Sequence, residues 1–208
     1  MDEMRLVFGD AWWAEAVYDA DIRRPPANDP YRQETNKWLA DWLSVRGVAL
    51  DTEQVERLRK VFARPLPKCF GLADGAREAL AWCRSQGLFV GVLTNTLSRG
   101  DDEVRADFER LGLSDLIDLI VTSYSAGWEK PHPAMFERAL REAKIRASEA
   151  CMVGDSLEVD IAGAIGVAMR SVWISTELVR QTTRLPELTI ASLRELPDAL
   201  SPWLSRTT

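Results

Sequence analysis

Histidine is almost missing from this chain: His132 is the only one in 208 residues. That argues against a histidine metal cluster, and so against a zinc site. Cysteine is scarce as well. Cys69, Cys83 and Cys151 are scattered and odd in number, which fits reduced thiols in a cytoplasmic protein rather than a disulfide framework. No apolar run approaches the roughly 20 residues that span a bilayer, and the amino terminus lacks a signal-peptide pattern, so no membrane partner is expected. A basic surplus is absent too. The formal charge of −6 leaves nothing to displace counterions from nucleic acid. There is no internal repeat and no low-complexity stretch. What is present is an ordinary globular composition, long enough to bury a core as one domain or as one domain carrying a smaller insert. Tryptophan is the exception, with eight residues, and packing is their default reading.

Two textures follow one another. The first third reads as helices only. Trp12, Trp13, Ala16 and Val17 share a helical face, as do Trp38, Leu39, Trp42 and Leu43. Val55, Leu58, Val61 and Phe62 form a third face, with Asp51 as its candidate cap. The connection "RRPPANDP" (23 to 30) is kept out of any helix by its adjacent prolines, and "RPLP" (64 to 67) looks like a boundary. From residue 72 the pattern alternates. A helix around Leu72 to Cys83 precedes a strand at 88 to 93, and a helix at 101 to 111 precedes a strand at 116 to 123. The helix 134 to 143 precedes a strand at 150 to 155, the helix 159 to 168 precedes a strand at 170 to 175, and "LTIASLREL" (188 to 196) offers a last short strand and turn. This alternation predicts an α/β fold with a doubly wound parallel sheet.

Three of the strands end in groups suited to ions. Thr94 and Asn95 follow the first, Lys130 comes after the second in "SYSAGWEKPHP", and Gly154 and Asp155 close the third. In a parallel sheet these ends lie on one edge. A hydroxyl, a backbone amide and an ammonium there could hold a phosphate. A carboxylate beside them suits Mg2+, which takes few protein oxygens and completes its shell with water and phosphate.

Thr94-Asn95, "KPHPAMF" and "GDSLEVDIAGA" resemble, in order and spacing, the second, third and fourth motifs of the haloacid dehalogenase-like hydrolase superfamily. The resemblance spans roughly residues 70 to 176. It implies a Rossmann-like core over 69–208, a small helical cap over 10–68 inserted after a first core strand at 1–9, and a Mg2+-dependent phosphatase working through an aspartyl-phosphate. A minority of such proteins are dehalogenases or other hydrolases. Carried over by position, Thr94 and Asn95 would bind phosphoryl oxygens, and Lys130 would bind phosphate and act in catalysis by neutralising charge. Asp155 would bind Mg2+, and Asp160 would orient the metal's water shell or Lys130. His132 reads as a turn residue. Ala168 stands where the superfamily usually has Gly. The implied partner is a small phosphorylated molecule, with the chain a monomer or homodimer.

The superfamily's first motif, Asp-x-Asp-x-Thr after the first strand, has no match. Asp19 and Asp21 have the right spacing but follow a helical pattern and precede Ile22 and Arg23. Met4 to Phe8 could form a short strand, yet it is followed by Gly9 and Asp10, and Trp12 stands where a proton-moving carboxylate is needed. Two expectations follow. Either the first strand and both carboxylates lie upstream of Met1, or the chain is a phosphate-binding relative without catalysis. A lost central strand would leave its neighbours with unpaired backbone groups, which favours the first.

Overall fold

The computed structural model describes residues 31–32, 34–63, 71–96, 98–176 and 185–205. The expected first core strand, the helical face at Trp12 to Val17, the carboxylates Asp10, Asp19 and Asp21, the prolines at 25 and 26, and the boundary near 64 to 69 lie outside the described residues.

Two helices, α1 (Thr35–Ser44) and α2 (Thr52–Phe62), form the first unit. Their apolar residues recur three and four apart, so each helix has one apolar stripe. Leu39 and Leu43 of α1 meet Val55 and Leu58 of α2 in a buried cluster. Trp38 packs as expected, and Arg46 lies 3.6 Å over the Trp42 ring. The expected cap at Asp51 is a full capping box: its carboxylate accepts from the Gln54 amide at 2.8 Å, and the Gln54 side chain accepts from the Asp51 amide at 2.9 Å. Such a cap contributes about 1 kcal/mol.

The second unit alternates α3 (Ala76–Ser85), β1 (Gly91–Thr94), α4 (Asp101–Arg110), β2 (Leu119–Thr122) and the single turn α5 (Ser123–Ala126). It continues through α6 (Pro133–Ala143), β3 (Cys151–Gly154), α7 (Ala162–Gly166), β4 (Arg170–Ile174), β5 (Leu188–Ile190) and α8 (Leu196–Leu204). The expected helices and strands appear in the expected order with shifted ends, and α5 and α8 are additional. α3 starts after Leu72 because Gly75 takes φ 77°, which no helix accommodates. β2 starts late because Ser114–Leu116 winds into a tight 3-10 turn. The helix expected at 159 opens as a wide π turn, Leu157–Ile161, whose Val159 amide donates to Ser156 Oγ at 3.1 Å.

All ladders are parallel: β1 with β2, and β3 with β4 and β5. Among the described residues β1 and β3 each have one hydrogen-bonded neighbour, so the sheet falls into two pieces. Both faces are covered by helices, which is why the strands are apolar on both sides. Val92 and Ile120 meet Val104 of α4, while Leu93 and Val121 meet Met135 and Phe136 of α6. Val153, Val172 and Ile190 meet Ala79 of α3 and Leu200 of α8. Met152 of β3 shares the Phe136 cluster with Leu93 of β1, so one core joins the two pieces. Close approach there depends on Gly163, where a Cβ would lie 2.4 Å from the Phe136 ring. Ala168 adopts φ 61°, a left-handed conformation that suits Gly better than Ala.

Candidate active site

Parallel pairing puts the carboxyl ends of the strands on one edge, with Thr94 opposite Thr122 in register. Only one of these threonines is available. The Thr122 side chain is fully buried, and its hydroxyl donates to Asp101 Oδ1 at 2.8 Å. Among the described residues the Thr94 hydroxyl has a single long contact, 3.5 Å to the Asn95 carbonyl, and can turn toward a ligand.

Asn95 does more than offer its amide. Its side chain brackets the backbone of Lys130: Asn95 Nδ2 donates to the Lys130 carbonyl at 3.0 Å, and the Lys130 amide donates to Asn95 Oδ1 at 2.8 Å. The next residue is held as tightly. The Thr96 amide donates to Ser123 Oγ, and Ser123 Oγ donates to the Thr96 carbonyl, both at 2.8 Å. The segment after β1 is thereby fixed to the segment after β2.

Lys130 lies across the edge. Its Nζ donates to the Leu93 carbonyl at 2.8 Å and to Asp160 Oδ1 at 2.7 Å. Both side chains of the pair are about nine-tenths buried, with 10% and 7% exposed. Removing one partner of such a pair strands the other charge, at a cost of about 3–5 kcal/mol. The approach requires Gly154 at the end of β3, since a Cβ there would lie 2.5 Å from the Asp160 side chain.

The two carboxylates of the expected metal site therefore differ. Asp160 is engaged through both oxygens, because the Ser156 amide also donates to its Oδ2 at 3.2 Å. Asp155 is exposed. Its carbonyl accepts from Trp173 Nε1 at 2.9 Å, which fixes the backbone, and its carboxylate has no hydrogen bond or ion pair among the described residues. No group of three His, Cys, Asp or Glu residues is gathered as a metal cage among the described residues. The donor set still fits Mg2+, which is held by one or two carboxylates and otherwise by water and phosphate oxygens. Asp155 is the residue with a free carboxylate for it. Asp160 is placed to orient Lys130.

The edge thus unites Thr94, Asn95, Lys130 and Asp160, with Asp155 at the same strand end as Gly154. Its chemistry is that of a fixed cation with a hydroxyl and a free carboxylate beside it, suited to an anion and a hard cation. Two contributors have no counterpart in the sequence reading: Ser123 and the side chain of Asn95. No sequence signal marks Ser123, which reads as the polar end of a strand. His132 is the turn residue expected, capping α6 by accepting from the Ala134 amide at 3.2 Å and stacking on Trp128 at 3.9 Å.

A parallel α/β core with polar and charged groups gathered at its strand ends has the architecture in which a ligand sits in the crevice outside those ends. The fold is similar to that of a haloacid dehalogenase-type phosphatase from Thermococcus onnurineus, with a TM-score of 0.59 and 24% identity over 90% of this chain and 79% of that one. The family model for haloacid dehalogenase-like hydrolases matches residues 8–167, and the chain belongs to that family. A ribulose-1,5-bisphosphate 5-phosphatase from Halopiger xanaduensis is 39% identical over 62% of this chain and 57% of that protein. A glyceraldehyde 3-phosphate phosphatase from Pyrococcus furiosus is 32% identical over 86% of this chain and 72% of that protein. The chain spans about half the length of most of the curated relatives it matches. No helix among the described residues is long and apolar enough to cross a membrane.

Proposed function

We propose that the strand-end site binds the phosphoryl group of a small phosphorylated metabolite and serves a Mg2+-dependent phosphatase reaction. The observation that carries this reading is the Lys130 ammonium, held between the Leu93 carbonyl and Asp160 directly beside Asn95. A preorganised cation aimed at a developing negative charge is worth more than one that must be recruited. In this reading the Thr94 hydroxyl and the Asn95 amide take phosphoryl oxygens, Lys130 neutralises the group, and Asp160 holds Lys130 in place. Asp155 holds Mg2+, which when bound supplies further charge neutralisation at the phosphoryl oxygens. The phosphatases among the relatives support the substrate class. The helical unit α1–α2 is read as the cap that selects the substrate.

A second reading has its own observation. No Asp-x-Asp-x-Thr follows a strand pattern anywhere in the chain, so a phosphate-binding protein without turnover uses the same residues. Calorimetry with inorganic phosphate, with and without Mg2+, tests the shared site. Binding by the wild type that weakens at least about tenfold in Lys130→Ala, as expected for losing a charge-assisted bond, supports it. Equal binding by both overturns it. Phosphate release from a phosphoester panel then separates enzyme from binder.

A further inference from the structure

Arg59 is 3% exposed, as deeply buried as any charged side chain described, and it lies on α2 rather than at the strand ends. Its guanidinium carries five donors in one plane, and they reach two units of the molecule. Within the helical pair, Nε and Nη2 donate to Glu56 at 3.0 and 2.7 Å. Across to the α/β unit, Nη2 donates to Glu103 Oε1 of α4 at 3.0 Å, and Nη1 donates to the Ser98 carbonyl. The cation also lies 4.5 Å from the centroid of the Tyr124 ring. The Tyr124 hydroxyl donates to Glu56 Oε2 at 3.1 Å, and Asn36 Nδ2 of α1 donates to the same oxygen at 3.0 Å. Burial opposes the charge on Arg59, but its bonds with Glu56 and Glu103 outweigh that and raise it above its ordinary value.

The apolar cluster already holds α2 to α1, so this network is not needed for that contact. What it adds is a grip on the segment after Thr94. That segment is held at five points: Asn95 to Lys130, Thr96 to Ser123, Ser98 to Arg59, Arg99 to Asp107 and the Glu103 carbonyl, and the Gly100 amide to Glu103 Oε2 at 2.8 Å. Two of the five run through Arg59 or the side chain of its partner Glu103.

We propose that Arg59 is a positioning residue that ties the seating of the α1–α2 pair on the core to the geometry of the Thr94–Asn95 phosphate cradle. Docking of the pair and binding of phosphate are then linked, and the linkage is reciprocal. The ligand in this inference rests on the proposed function; the tie itself does not. The test is hydrogen exchange on the full chain, with inorganic phosphate as the probe. In Arg59→Met the Thr96 and Gly100 amides should exchange about tenfold faster or more, the effect of losing bonds to a charged group. The amides of β2 and β4 should be unchanged, and phosphate should bind several-fold more weakly. Phosphate added to the wild type should slow exchange in α2. Unchanged exchange at Thr96 and Gly100 in a folded Arg59→Met chain overturns the inference, as does a rise spread evenly over the whole core. Should that variant fail to fold, Glu103→Gln keeps the size and removes the charge. It must show the same local rise in smaller measure, and no rise there overturns the tie equally. Faster local exchange combined with no phosphate binding by the wild type would uphold the tie and overturn the phosphate reading.

Discussion

The α1–α2 pair and the α/β unit are held together by different physics. The α/β unit has apolar clusters on both sheet faces, with Phe136, Met135, Val121 and Val172 fully buried. Each such side chain contributes about 1.5–3 kcal/mol. The helical pair has one small apolar cluster of its own. Its described junction with the α/β unit is mainly polar: the Arg59 network, together with the Arg32–Trp128 bridge, where Arg32 lies 4.6 Å over the Trp128 ring. A packed core resists local opening, whereas a polar junction can open without exposing much apolar surface. Changes in the core should therefore act on the whole fold, and changes in the pair should stay local.

The largest effect tests the core side of this contrast. Asp160→Ala leaves the Lys130 ammonium buried with only the Leu93 carbonyl as a partner among the described residues. It should destabilise the protein by about 3 kcal/mol or more, read as a lower urea midpoint in a single transition. A change confined to the amides of α1 and α2 would contradict the contrast. Gly163→Ala comes next. Its Cβ would meet the Phe136 ring at 2.4 Å and the Pro131 backbone at 3.2 Å, and overpacking of this kind costs about 1–3 kcal/mol. The loss should again be global and should show in thermal melts.

Asp51→Ala tests the other side. It removes the capping box of α2 and should cost about 1 kcal/mol. The Gln54 amide should exchange faster, with little change in the protection of β2 or β4. The smallest effect is acid sensitivity of the junction. The Arg59 hydrogen bond holds the Glu56 carboxyl at about 2, well below its ordinary 4.5. A lowered carboxylate contributes stability that is complete above its unfolded value and lost as pH falls through its folded value. Exchange in α2 should therefore rise between about pH 4.5 and 2, relative to Glu56→Gln, which has no such proton to gain. Identical pH profiles for the two chains would show that Glu56 does not hold the junction.

Periodicity and turn chemistry make much of this protein legible from its sequence alone. The three-and-four spacing of Trp38, Leu39 and Leu43 and the cap at Asp51 depend on neighbours within a few residues, so the sequence carries them directly. The same is true of the alternation of strands and helices from residue 72, and of the motif residues Thr94, Lys130 and Asp155. Parallel topology follows from that alternation, and it places those residues on one edge. The motif resemblance left Asp160 with two roles, orienting the metal's water shell or Lys130. The Gly154 approach and the π turn that follows bring its Oδ1 within 2.7 Å of the ammonium. Thr122 also ends an apolar strand in register with Thr94, and its burial against Asp101 takes its hydroxyl away from the edge. Arg59 reads in sequence as one more solvated charge on a helix, among Arg57 and Lys60. Only the packing of α2 beside Ser98, Glu103 and Tyr124 takes that guanidinium out of water. The direction of a side chain is a property of the assembled elements, and no local stretch of sequence contains it.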